Sequence, residues 1–547
     1  MQLLPTVQLP GVEPVDASDP FGVLYRRLWS SSATAESMGY PLYHDLQVPS
    51  LENPTRTTPL KASFFDLEPL RPGKFLLRQE YHALKEIVDH CFATFTDAWA
   101  REGVWVTGHS RIGKSTFLYF LLHEYLVQGQ ACILQTSPVQ GYLFGPRGVY
   151  LLDLETARMD LEDSLVKIGA PAKIIVLVDS HQVPGKPHFR FTSSHYQRKY
   201  LVVLSDGPRE KYRDWVRYQN VYKLYMREWE WEDVYAAGTI LYQKSSEELA
   251  KAFNEFGRIG DRCFLPPAFD EARKGVLESA PYMAQIALTD SLWAVLRHTH
   301  DLDIFPPLLF SPFSIFLLTC NRQNRSIDQV LFLTKSIAYE FYRALAGVAK
   351  DVREIGRFYG VLSSWGYNER SPMADQLYEM VAHSHLAEGM ELSLKPLRKR
   401  GRKLQVVFGP GPVMFVHLVQ TGCEIPEERY CILHSSSSGT GNSPTLDSLC
   451  IHKGVVYLFK IVRDSSHPID LSALDHLRTV LGDELSPERK PWRIVFVVPR
   501  GMARNFRAQR LVRSEDASME DVDDRWKDLL LQYVTEFDMA RVGAKNP

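Results

Sequence analysis

At 547 residues the chain is too long for one core and divides, at ordinary domain size, into about three to four units. Hydrophobic residues make up 45% and the net charge is -2, which argues against a disordered chain or a general nucleic-acid coat, so any cationic surface must be local. The 7 cysteines include no C-x-x-C pair, which argues against a zinc ribbon or a disulfide framework and fits an intracellular protein of the cytoplasm or nucleus.

Residues 1–74, rich in Pro, Ser and Thr with little periodicity, read as an irregular extension, and their start lacks the basic-then-apolar pattern of a secretory signal. No membrane contact is expected: the most apolar stretch, residues 305–320, is interrupted by Pro306, Pro307 and Pro312. From Phe75 to Trp99 the apolar residues recur at helical spacing. A short strand at Val104–Val106, a helix at Phe117–Leu126 and strands at Ala131–Gln135, Ile174–Asp179, Tyr200–Ser205 and Val221–Met226 follow, with "YLFGPRGVYLL" as an inserted hairpin. This rhythm predicts an α/β fold with a parallel sheet over residues 75–265, and the glycine-loop motif described next makes that unit a P-loop NTPase core. Helical patterns from Trp229, including Val330–Ala346, predict a helical lid or connector over 266–370. Residues 371–547 offer a helix at Met373–Ala382, strands at Leu404–Val407, Val413–Leu418, Val455–Ile461 and Trp492–Val498, and a final helix over Arg525–Phe537.

The stretch "GVWVTGHSRIGKSTFLYFLL" satisfies G-x-x-x-x-G-K-[ST] between a strand and a helix. Gly108 and Gly113 let the backbone curl around phosphates, with His109, Ser110, Arg111 and Ile112 as the variable positions; Arg111 reads as a surface residue. Lys114 supplies a cation for the β and γ phosphates, Ser115 a hydroxyl for Mg2+, and Thr116 a contact to the α phosphate. The apolar strand "KIIVLVDS" ends at Asp179, placed to hold the Mg2+ shell. Ser180 follows where many hydrolytic P-loop enzymes carry Glu, so nucleotide binding is better supported than hydrolysis. Ser205 and Asp206, ending the next strand, are candidates for sensing the γ phosphate. No N-K-x-D base-reading motif is present, which makes ATP the default cofactor, with Mg2+. His181, His188 and His195 are too irregularly spaced for a metal site.

With these pieces in order, "VTGHSRIGKSTFLYFLL", "IIVLVDS", "YMREWEWEDVYAAG", "FGRIGDRCF", "LYEMVAHSHL", "SPTLDSLC", "LFKIVRDSSHPI", "WRIVFVVP" and "WKDLLLQYV" resemble the fungal and oomycete Crinkler and the trypanosome retrotransposon hot spot proteins. The resemblance implies a P-loop ATPase joined to a restriction-endonuclease-like α/β domain, and an effector-like delivery to host cells. It implies that Arg262 reaches the nucleotide phosphates from the lid, with Arg258 as competitor. It implies a catalytic acid on the helix, Glu379, and one on a strand, Asp447. "YLFKIVRD" departs from the pattern, presenting Lys460 and Val462 where a metal-binding acid or Gln and a polar partner belong, so the nuclease site is expected to be degenerate and Lys460 to contact phosphate. The run "KPLRKRGRK", with six cations from Lys395 to Lys403, is a candidate for phosphate contact. The expected function is an ATPase that switches a degenerate, nucleic-acid-binding nuclease-like domain, with DNA or RNA as candidate partners. The alternatives are a non-enzymatic, ATP-loaded interaction protein with a protein partner, and an active Mg2+-dependent nuclease at Glu379 and Asp447.

Overall fold

The computed structural model describes residues 9–29, 42–51, 57–68, 71–94, 103–109, 111–156, 158–179, 183, 187–192, 199–205, 215, 221–264, 274–275, 278–285, 316–320, 327–349, 352–363, 372–389, 391–398, 402–417, 425–434, 446–512 and 524–539. Ser110, Ser180, His181, His195, Asp206 and the middle of the basic run lie outside these residues.

The N-terminal residues expected to be irregular are built into the fold. Strand β1 (Val12–Pro14) joins the edge of the main sheet, and helix α1 (Pro20–Leu28) starts at Asp19, whose carboxylate accepts from the Phe21 amide. Strands β2 (Leu42–Pro49), β3 (Thr57–Leu67) and β4 (Arg71–Leu76) form an antiparallel sheet. Phe75 and Leu76 therefore close a strand, and helix α2 is described over Gln79–Thr94, the end of the expected helix lying outside the described residues. The physical reason lies further on. After β5 (Gly103–Thr107), helix α3 (Lys114–Val127) is apolar almost all round, with Phe117 to Leu122 all buried, and a helix of that kind must be covered on every side. Leu24, Leu28, Phe65, Leu67, Tyr81 and Leu84 share its core.

Strands β6 (Cys132–Gln135), β7 (Gln140–Gly145) and β8 (Gly148–Asp153) come next, β7 and β8 forming the expected hairpin. Helix α4 (Arg158–Lys167), β9 (Lys173–Asp179), the short α5 (Phe189–Thr192), β10 (Lys199–Ser205) and β11 (Val221–Tyr225) complete the unit. The sheet order is β1-β8-β7-β6-β9-β10-β5-β11, and β6, β9, β10, β5 and β11 run parallel. Strand β5 thus lies between two strands that come much later in the chain. The crevice beyond the carboxyl ends of such strands is where ligands bind open α/β sheets.

Helices α6 (Trp231–Leu241), α7 (Ser246–Phe256) and α8 (Gly260–Phe264) follow; α7 begins with a reciprocal Ser245–Glu248 cap. The connector is not wholly helical. Strands β12 (Phe316–Cys320) and β13 (Ile327–Phe332) pair antiparallel, so Val330 belongs to a strand and helix α9 (Lys335–Val348) starts only at Thr334, whose hydroxyl accepts from the Ile337 amide. Helices α10 (Val352–Ser363) and α11 (Pro372–Ala387) pack with α9 in one core that also takes in Tyr225 and Ile259.

The C-terminal sheet is built from β14 (Glu391–Pro396), β15 (Leu404–Val407), β16 (Met414–His417), β17 (Tyr430–His434), β18 (Ser448–His452) and β19 (Val455–Ile461). After the two-residue β20 (Ile469–Asp470), helix α12 (Leu471–Leu481) leads to β21 (Trp492–Pro499), the two-residue β22 (Leu511–Val512), helix α13 (Asp524–Leu529) and β23 (Leu530–Phe537). The order is β15-β14-β23-β21-β19-β18-β17-β16, with β23, β21 and β19 parallel. The helix expected over Arg525–Phe537 is therefore corrected: it stops at Leu529, because residues 530–537 complete the hydrogen-bond ladders of β21 and β14, and tertiary pairing overrides local helix propensity. Among the described residues no helix is long and apolar enough to cross a membrane.

Candidate functional site

Between β5 and α3 the chain turns through Gly108, Arg111 and Gly113, at φ 140°, 61° and 103°. This is the curl that a backbone phosphate cradle requires, and glycine is needed at its ends for a second reason. A Cβ on Gly113 would lie 2.5 Å from Tyr81 Oη, and one on Gly108 would lie 3.0 Å from the Met226 carbonyl oxygen. Arg111 is exposed, as expected of a surface residue. Ile112 is buried, and its carbonyl accepts from Arg78 Nη1 and Trp229 Nε1, each at 3.0 Å. Arg78 is itself buried, donates to the Glu228 carbonyl at 2.7 Å and pairs with Asp233 at 3.0 Å. The loop is thus gripped from behind by α2 and the segment after β11.

On the open side, Lys114 Nζ donates to the carbonyls of Gly108 (2.9 Å) and His109 (2.5 Å). Ser115 Oγ and Ser205 Oγ both donate to Asp179 Oδ1 at 3.1 Å. The register explains the meeting: Asp179 and Ser205 are partners on neighbouring strands, and Val106, next to the loop, pairs with Ser205. Hard oxygen donors converging from Ser115 and Asp179 suit Mg2+ beside a phosphate. Thr116 directs its hydroxyl to that of Tyr81. His109 is buried, and desolvation, with Lys114 and Arg262 nearby, pushes its imidazole down to about 3, so it stays neutral in the loop.

The two lid arginines have different neighbours. Arg258 pairs with Glu228 Oε1 at 3.4 Å and Glu230 Oε2 at 3.1 Å, whereas Arg262 is buried on α8 with its charge felt at His109. Of the two, Arg262 is the one whose charge acts on the loop histidine. The His188 amide donates to Gln135 Oε1 at 3.2 Å, and burial drops its imidazole to about 4.

In the C-terminal domain the chain brings together three residues singled out in the sequence, and adds a fourth. Asp447 Oδ1 accepts from Lys460 Nζ at 3.1 Å, and Oδ2 accepts from the Ile461 amide at 2.8 Å. Lys335, the first residue of α9, reaches in with Nζ 2.5 Å from Glu379 Oε1 and 3.1 Å from Asp447 Oδ1. His383 stands on Glu379 Oε1 at 3.4 Å and shares a hydrogen bond with Tyr430 Oη, which in turn meets Ser448 Oγ at 2.6 Å. Burial alone would raise both carboxyls, but Lys335 beside them, joined by Lys460 at Asp447, holds them below their ordinary ranges. Burial opposes the charge on Lys335 also, yet the two carboxylates raise it well above the usual lysine range. Lys460 is buried against Asp447 and so is not the exposed phosphate contact expected of it. A divalent cation does not fit this arrangement: both oxygens of Asp447 are occupied by N–H donors, and an ammonium fills the space between the carboxylates. Among the described residues no group of three or more His, Cys, Asp or Glu side chains could hold a metal ion.

Sequence reasoning missed Arg78, Tyr81 and Trp229 behind the loop, and Lys335 in the acidic cluster. The aromatic run after β11 was the visible trace of the first set; nothing local signals Lys335, which is 112 residues from Asp447.

No protein-family model matches the chain, and no curated protein matches it. Among solved structures it is similar to a signal transduction ATPase with numerous domains, carrying a tetratricopeptide repeat sensor, from Pyrococcus horikoshii, at 10% identity and a TM-score of 0.20. That match covers 57% of this chain and 49% of that chain, about half its length, and at this score the likeness carries no weight for fold or function.

Proposed function

We propose that the chain is a Mg2+-dependent nucleoside-triphosphate-binding protein, with ATP as its nucleotide, in which the P-loop unit switches an attached nuclease-like domain that has lost its metal chemistry. The observation that carries the reading is the convergence of Ser115 and Ser205 on Asp179 beside a glycine-curled loop that ends in Lys114. In this reading Lys114 neutralises the β and γ phosphates, Ser115 and Asp179 hold Mg2+, Ser205 senses the γ phosphate, and Arg262 approaches from the lid. Slow ATP hydrolysis belongs to the proposal, as does kinship with the Crinkler and retrotransposon hot spot proteins. The C-terminal domain is read as restriction-endonuclease-like in descent, with DNA or RNA as its partner.

The lysines at Glu379 and Asp447 favour a non-cleaving domain over an active nuclease. They leave open a second reading of the P-loop unit, an ATP-loaded interaction protein without turnover, which Ser180 in place of a water-polarising Glu favours. Titration of purified protein with fluorescent ATP and GTP analogues, paired with steady-state phosphate release, separates the readings. Mg2+-dependent ATP binding and turnover, both abolished in Lys114→Ala, are expected. Binding without turnover would select the interaction protein, and equal nucleotide binding by wild type and Lys114→Ala would sink both.

A further inference from the structure

We propose that Lys335 is the built-in cation of the C-terminal carboxylate pair: its ammonium occupies the place a divalent metal would take between Glu379 and Asp447, closes the pair to metal, and clamps helix α9 to the C-terminal sheet.

Three observations carry this beyond a chance ion pair. The charges close: Glu379 and Asp447 against Lys335 and Lys460 sum to zero, in a site where Asp447 and Lys460 are each 1% exposed and Lys335 is 8% exposed. Adding a divalent ion to that set would leave two uncompensated positive charges among apolar neighbours, at a desolvation cost that burial makes severe. The donors are also matched to the acceptors. Asp447 receives Lys335, Lys460 and the Ile461 amide, while Glu379 Oε1 receives Lys335 and faces His383. Among the described residues, the cluster is faced by the titratable side chains of His383 on α11 and Tyr430 on β17, and His467 in the loop after β19 feels the charges of Lys460 and Asp447.

The third observation concerns where Lys335 comes from. It belongs to the connector, not to the C-terminal sheet, and the residues before it rest on the end of helix α7 in the nucleotide unit. Thr334 Oγ1 donates to the Glu255 carbonyl at 3.2 Å, and the Leu333 carbonyl oxygen lies 2.8 Å from where a Cβ on Gly257 would be. A single turn of chain therefore touches the end of α7 on one side and, through one ammonium, pins two carboxylates on the other. A bound metal ion in that place could satisfy the carboxylates but could not tie them to α9.

The test uses the full chain without nucleotide, with Mn2+ as the probe, so that its outcome is independent of the P-loop reading. Wild type is expected to melt at the same temperature in chelator and in millimolar Mn2+. Lys335→Met is expected to melt roughly 5–10 °C lower in chelator, because the buried Asp447 and the partly buried Glu379 lose their shared partner. Mn2+ is expected to restore part of that loss, and Asp447→Asn added to Lys335→Met to abolish the restoration. Calorimetric uptake of Mn2+ by wild type that disappears in Asp447→Asn would overturn the proposal. So would a Lys335→Met protein that melts like wild type, or one that is destabilised but indifferent to Mn2+. Should Lys335→Met fail to fold, Lys335→Met with Glu379→Gln is decisive: removing charge from both sides is expected to recover folded protein, and continued misfolding refutes the charge-balance account.

Discussion

Replacing Gly113 by Ala tests the loop at its tightest point. The residue sits at φ 103° and ψ 20°, and a side chain held in the left-handed region costs roughly 1–2 kcal/mol. The new methyl would also lie 2.5 Å from Tyr81 Oη on a side chain that is 1% exposed and has nowhere to go. Overpacking of this kind costs typically 1–3 kcal/mol, so the sum is about 2–5 kcal/mol. Gly73 is a natural control, since it has φ 99° with nothing within 4 Å of its Cβ position; Gly73→Ala meets only the torsional part. Thermal melts of Gly113→Ala, Gly73→Ala and Gly113→Ala with Tyr81→Phe separate the terms. Gly113→Ala is expected to melt lowest, and loss of the Tyr81 hydroxyl is expected to recover part, though not all, of the difference. Equal melting of the two glycine variants, with no recovery in the double variant, would refute the close approach of Tyr81 to the loop.

The two arginines are expected to part in a nucleotide titration: Arg262→Ala lowers ATP affinity more than Arg258→Ala, which unpairs Glu228 and shows chiefly as a lower melting temperature. A titration showing the reverse order would exchange their roles. Stability is expected to depend on pH through His109. Its folded-state value is depressed to about 3, so from about 6.5 downwards the unfolded chain binds a proton that the folded loop refuses, and stability falls as the pH drops through that window. Denaturant melts from pH 7 to pH 4 are expected to show a shallower fall in His109→Gln than in wild type.

The loop was legible because its chemistry is contiguous: eight residues between an apolar strand and an apolar helix carry the whole signal, and Asp179 closes a strand whose register is set by its own alternation-free apolar run. Arg78 was not legible. It precedes α2 by one position and looks like any surface cation, and only the folded chain places it against Ile112 and Glu228. Residues 530–537 were read as helix since their apolar residues suit either period, and the decision belongs to β21 and β14, which lie far away in sequence. Glu379, Asp447 and Lys460 were each visible, and the folded chain gathers all three into one ion-paired cluster. The fourth member, Lys335, comes from a segment taken for a plain connector, and no local pattern could announce it.

Arg78, just before α2, and Trp229, after β11, hold one carbonyl of the loop, Ile112, from two directions. The curvature behind Lys114 is therefore fixed by folding, and an incoming anion has little backbone entropy to freeze. Association should then run near the ordinary encounter rate, leaving differences between nucleotides to be expressed in how long each one stays.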